Sequence, residues 1–155
     1  SCRCAASRVE EGVCTFLLVL HDRACILASM TTNVQPLLIL IAGPYRSGTG
    51  DDPERMAANL RRLEEAAWPI FRAGHVPMIG EWVALPVLHG AGGAGPTDPI
   101  AEQVMYPTAQ RLLQHCDAVL RLPGASTGAD QDVAIARERG LPVWYRLEDV
   151  PGLAA

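Results

Sequence analysis

Five consecutive aliphatic residues, Leu37-Leu38-Ile39-Leu40-Ile41, run without a polar break into Ala42-Gly43-Pro44. A polar loop, Tyr45 to Asp52, follows before helix-like residues resume at Pro53. An apolar run with no alternation reads as a strand buried on both faces, the kind found in parallel sheets covered by helices. Such a strand emptying into a glycine-bearing loop ahead of a helix is where α/β proteins usually keep their ligand site. The phosphate-binding loop G-x-x-x-x-G-K-[ST] depends on a lysine that reaches the terminal phosphates. Gly43 and Gly48 have its spacing, but Thr49 and Gly50 stand where Lys and Ser/Thr belong. The chain has no lysine at all, since arginine supplies all 13 basic residues. The P-loop reading fails.

Beyond the loop, Asp51 or Asp52 is placed to cap a helix whose first residue is Pro53, where a missing N–H costs nothing. Met56, Leu60, Leu63, Ala67 and Ile70 or Phe71 recur at helical spacing, with Arg55, Arg61, Arg62, Glu64 and Glu65 outside that stripe. Pro69 should bend the last turn and Gly74 end it. His75 to Ile79 reads as a short strand. Residues 80–99, with Gly80, Pro86, the Gly90–Pro96 run and Pro99, read as a long loop, either a lid or a plain connection. A second helical stripe runs from Met105 through Ala109 and Leu112 to Cys116, starting near Pro107. Ala118 to Leu122 reads as a buried strand, 123–128 as a turn, 129–139 as a helix closed by Gly140, and Pro142 to Arg146 as a last strand. Alternating strands and helices predict a doubly wound parallel sheet in three layers, α/β/α, with right-handed crossovers.

At 155 residues the chain suits one domain with a single buried core. A net charge of −4 with no basic block argues against nucleic acid held by its backbone. Cys2, Cys4, Cys14 and Cys25 all precede Met30, leaving only Cys116 beyond it. Their spacings lack a paired C-x-x-C, and no histidine pair accompanies them. The apolar segment Thr15–Leu20 follows Glu10 and Glu11 instead of positive charge, so it does not read as a signal core. No stretch reaches the roughly 18 to 20 apolar residues of a membrane span. Residues 1–29 read as an extension foreign to the fold, with residues 30–155 as the domain, and a cytoplasmic, membrane-free protein is expected.

In a doubly wound sheet, ligands sit beyond the carboxyl ends of the strands, which singles out the loops Gly43–Asp52 and Pro123–Gly128. Ser126 or Thr127 can cap the helix that follows the second loop. Its free N–H groups can receive a phosphate or carboxylate, although an ordinary N-cap is an equally good reading. Asp132 falls in the first turn or so of that helix, beside the Ala129–Val133–Ala136 face. The helix dipole should keep such a carboxylate ionised, as suits a nucleophile or general base, although a plain dipole-complementing acid is the commoner case. Asn59 borders the Met56–Leu63 stripe and could bind a ligand or tie down a loop. Tyr45 could orient a phenol over the site or pack as a lid. Glu81 and Trp82 could supply an acid and a stacking surface, or form an exposed loop pair. His75, His89 and His115 lack i, i+4 partners, so no metal site is expected.

Several blocks together resemble the nucleoside 2-deoxyribosyltransferase superfamily and, within it, the small domains labelled DUF4406. They are Ile41-Ala42-Gly43-Pro44-Tyr45, Asn59, Gly74-His75-Val76-Pro77, Cys116 to Leu120, and above all Ser126 to Ala136 running on to Gly140-Leu141-Pro142-Val143. The resemblance covers about residues 37–146. It implies a flavodoxin-like five-stranded sheet, chemistry at an N-glycosidic bond, no cofactor, and a homodimer or larger homo-oligomer with sites near the subunit interface.

In that family a carboxylate on the helix after the S-x-G-A loop attacks the anomeric carbon, and Asp132 matches its position. Tyr45 matches the tyrosine that orients the carboxylate. Gly43, Asn59, Ser126 and Gly128 would cradle a nucleoside or nucleoside 5′-monophosphate, and Arg46 would neutralise a phosphate. The family usually carries Glu where this chain has Asp132, and its Pro-His after the second strand is replaced by Ile79-Gly80-Glu81. Misplacing a carboxylate by one methylene can cost about a hundredfold in rate. The departures weigh against transfer and are compatible with slow hydrolysis or with a nucleotide-binding module that has lost turnover.

Overall fold

A computed structural model describes residues 35–153. The expectation for residues 1–29 lies outside the described residues. The aliphatic run forms β1 (Leu38–Ala42), flanked in parallel by β2 (Val76–Ile79) and β3 (Ala118–Arg121). A short β4 (Val143–Trp144) pairs with β3, giving a four-stranded, all-parallel sheet of order β2-β1-β3-β4. The helices are α1 (Pro53–Glu65), α2 (Ala67–Arg72), α3 (Gly80–Gly90), α4 (Ala101–Leu113) and α5 (Thr127–Glu138).

Side chains alternate across a strand, so β1 feeds two cores. Ile39 and Ile41 pack with Leu63 of α1 and Ile70 of α2. Leu40 and Ala42 pack on the opposite face with Leu113 of α4 and Ala129, Val133 and Ala136 of α5. The architecture is the expected flavodoxin-like three-layer fold. The sheet has four strands among the described residues, one fewer than the resemblance implied, and its order is that of the five-stranded flavodoxin type without the last strand.

The first helix starts as expected. Asp52 accepts the N–H groups of Glu54 and Arg55 at 2.8 and 3.2 Å, with Pro53 at the first position. It ends earlier than the stripe suggests, at Glu65, and α2 resumes after Ala66. Pro69 explains the break, because it offers no N–H to Glu65 and its ring crowds that carbonyl. Ile70 takes the buried position while Phe71 faces out and stacks on Trp68 with ring centroids 5.9 Å apart.

The largest correction concerns residues 80–99, read as a loop. Residues Gly80–Gly90 are α3, continuous through Pro86. Burial of Ala84 and Leu88 outweighs the local penalty of that proline. The next helix starts at Ala101 instead of near Pro107, which lies inside it. Ahead of it the Asp98 carboxylate accepts the N–H groups of Ile100 and Ala94, each at 3.0 Å, and shapes the turn that leads into the helix.

Two polar groups lock the sheet's amino edge. His75 is buried just before β2, with Nδ1 accepting the Leu37 N–H at 3.2 Å. Its Nε2–H donates to the Pro151 carbonyl at 2.8 Å, which fixes the tautomer because a carbonyl only accepts. Asp117 accepts the Leu38 N–H at 2.7 Å. His75 is thus a structural histidine that ties β1 to the C-terminal segment.

Candidate active site

β1 is the strand from which the chain winds outward in both directions, so the crevice at its carboxyl end is the topological switch point. A cavity of about 150 Å³ opens there. Its floor is the end of β1 through Gly43. Its walls come from the β1–α1 loop, the first turns of α3, the inner face of α4 and the start of α5.

The β1–α1 loop holds its shape through internal bonds. Thr49, at the position of the missing P-loop lysine, is buried; its hydroxyl donates to the Arg46 carbonyl at 2.6 Å and accepts the Asp51 N–H at 3.2 Å. Arg46 grips Asp51 with two hydrogen bonds, at 2.6 and 3.1 Å. Gly43 lets α1 approach, since a Cβ there would lie 2.7 Å from Leu63 Cδ2. Asn59 donates to the Tyr45 carbonyl at 2.8 Å and lies outside the cavity. It holds the loop, and it lines the adjoining depression with Ser126 and Thr127 instead of this cavity.

The β3–α5 loop is organised by Arg121, a buried guanidinium at the end of an otherwise apolar strand. It donates to the carbonyls of Leu122 and of Gly124, the latter at 2.8 Å, and pairs with Asp130 at 2.8 Å. Gly124, at φ +118°, packs against Pro44, where a Cβ would stand 2.6 Å from Pro44 Cγ. The two loops singled out in the sequence therefore touch. Ser126 caps α5 by accepting the Ala129 N–H at 3.3 Å, the ordinary N-cap, and also lines the cavity.

Tyr45, Arg46, Gly43, Ser126, Gly128 and Asp132 all line the cavity. Asp132 lies in the second turn of α5, beyond the reach of the dipole at the helix end. Burial governs it instead: its pKa is pushed up to about 6, with Arg121 opposing the rise. The expectation of a carboxylate held firmly ionised by the helix is corrected on that ground.

Glu81 is the residue that the sequence left ambiguous. It sits in the first turn of α3, half-buried, and lines the same cavity. Burial pushes its pKa up to about 7 and the nearby Asp132 charge adds to the rise. Tyr45 is likewise raised by burial and by Glu81. Trp82 points elsewhere, donating to Glu64 at 3.1 Å, and takes no part in the cavity. Tyr106 and Glu102 of α4 complete the wall. Neither stands out in the sequence, because the helical stripe there starts near Pro107, after both.

Among the described residues, no three His, Cys, Asp or Glu side chains gather as a metal-binding group. No helix among them is long and apolar enough to cross a membrane. Cys116 is buried with its thiol donating to the Leu112 carbonyl at 3.4 Å, and burial pushes its pKa up to about 11, so it packs as an unreactive core group. Compared with protein-family models, curated proteins and solved structures, the chain matches none.

Proposed function

We propose that this protein cleaves the N-glycosidic bond of a nucleoside or nucleoside 5′-monophosphate, with Asp132 as the attacking carboxylate. The observation that carries this reading is the convergence of Asp132, Glu81 and Tyr45 on one cavity at the switch point of the sheet. Paired carboxylates in differing states of protonation suit glycosidic bond cleavage through an oxocarbenium-like transition state. Asp132 attacks the anomeric carbon as the bond to the base breaks, and the electron pair leaves with the base. Water then releases the sugar, or a second base takes it, which would make the enzyme a transferase. Tyr45, held by the Asn59 bond to its carbonyl, orients the carboxylate; Gly43, Ser126 and Gly128 bound the sugar. A homo-oligomer and a cytoplasmic setting belong to the same reading.

Incubation with a panel of nucleosides and monophosphates, followed by chromatography of free base, tests it. Base should appear with the native chain and fall at least a hundredfold in Asp132→Asn. Undiminished release by the variant would remove Asp132 from the mechanism.

A second reading, a nucleotide-binding module without turnover, is favoured by one feature: Arg46 is already paired with Asp51 and Ser126 with the Ala129 N–H, so these groups hold the loops as much as any ligand. A nucleotide that raises the melting temperature with no base released would select it.

A further inference from the structure

Resting on the glycosidic reading, the geometry points to Glu81 as the acid that protonates the departing base. β2 and β3 flank β1 on opposite sides, so the helix that leaves β2 and the helix that follows β3 reach the end of β1 from opposite directions. Glu81 comes from the first and Asp132 from the second, and both line the cavity. A sugar placed over Gly43 with its anomeric carbon toward Asp132 turns its base toward α3 and Glu81.

Chemistry separates the two carboxyls. Both are buried enough to favour the neutral form, but only Asp132 has a cation acting on it, Arg121, whereas Glu81 has the Asp132 charge against it. The first proton to leave the pair therefore comes from Asp132, and Glu81 keeps its own. Besides Asp132, the titratable and charged groups sharing the cavity with Glu81 are Tyr45, Arg46, Glu102 and Tyr106. Tyr45, raised above its ordinary value, is a poorer proton donor near neutrality.

The step balances. A bond forms between Asp132 Oδ and the anomeric carbon as the carbon–nitrogen bond breaks. The electron pair goes to the base, the Glu81 proton goes to a ring nitrogen of that base, and Glu81 becomes a carboxylate. Water then adds to the anomeric carbon, its proton returns to Glu81, and Asp132 leaves as a carboxylate.

N7-methylated purine nucleosides supply the test, because their base departs without needing a proton. With Glu81→Gln, base release from an unmodified purine nucleoside should fall about 10²–10⁴-fold. Release from its N7-methyl counterpart should fall less than about tenfold, and the decline of rate on the alkaline side should disappear. Equal losses on both substrates, or no loss on either, would overturn the assignment while leaving Asp132 in place. Absence of base from both substrates with the native chain would overturn the assignment together with the glycosidic reading. The melting temperature of Glu81→Gln, read alongside, separates a chemical loss from a folding defect.

Discussion

Asp132 and Glu81 show how a residue's neighbours decide its chemistry. The Asp132 pKa of about 6 stands above the ordinary 3.8, so between those values the folded protein holds a proton that the unfolded chain has released. Stability therefore falls as pH rises from 3.8 through about 6, and the loss persists above. Glu81 acts in the same direction, from 4.5 through about 7. Asp132→Asn should be more stable than the native chain at pH 8, by about 1–3 kcal/mol, and indistinguishable from it near pH 4. Thermal melts across that range check the sign. An Asn variant less stable than native at pH 8 would mean that Arg121 outweighs burial.

Among the elements, α1 and α2 hold the clearest contrast between pattern and packing. The helical spacing left Ile70 and Phe71 interchangeable, and the break at Ala66 decides between them. Ile70→Ala empties a fully buried site between helix and sheet and should cost about 2–5 kcal/mol in denaturant unfolding. Phe71→Ala removes a ring exposed beside Trp68 and should cost less than about 1 kcal/mol. Equal losses would mean that the helix sits in the other register. The turn ahead of α4 carries a local signal, Asp98-Pro99, two residues before the helix begins at Ala101. The glycines before it read as loop and Pro107 as a helix start, which hides the first turns of α4. No such local signal exists for α3: its apolar residues show no clean stripe, and Gly80 and Pro86 are both breakers. Only its burial makes it a helix.

Across the whole molecule, the site depends on two loops from separate strands meeting at Pro44 and Gly124. Gly124→Ala adds a methyl at φ +118° and drives it into Pro44, which should cost about 1–3 kcal/mol. Faster amide exchange in both loops, with β1 and β3 still protected, would show the two loops parting. Exchange that quickens only in 123–128 would mean that the loops do not depend on each other.

Residue patterns alone were enough for the parallel sheet and for the two loops at the cavity, but not for its α3 and α4 walls. An unbroken aliphatic run can only be buried on both faces, and alternating strand and helix patterns dictate right-handed crossovers. Together these place Gly43, Tyr45, Ser126, Gly128 and Asp132 at one edge of the sheet. It took the tertiary structure to show that Asn59 holds the loop, that Arg121 clamps the second loop, and that Glu81 shares a cavity with Asp132. The physical reason is one of range. Periodicity and capping report on neighbours a few residues away, whereas the burial and charge that set a carboxyl's proton come from groups distant in the chain, as Glu81 and Asp132 are.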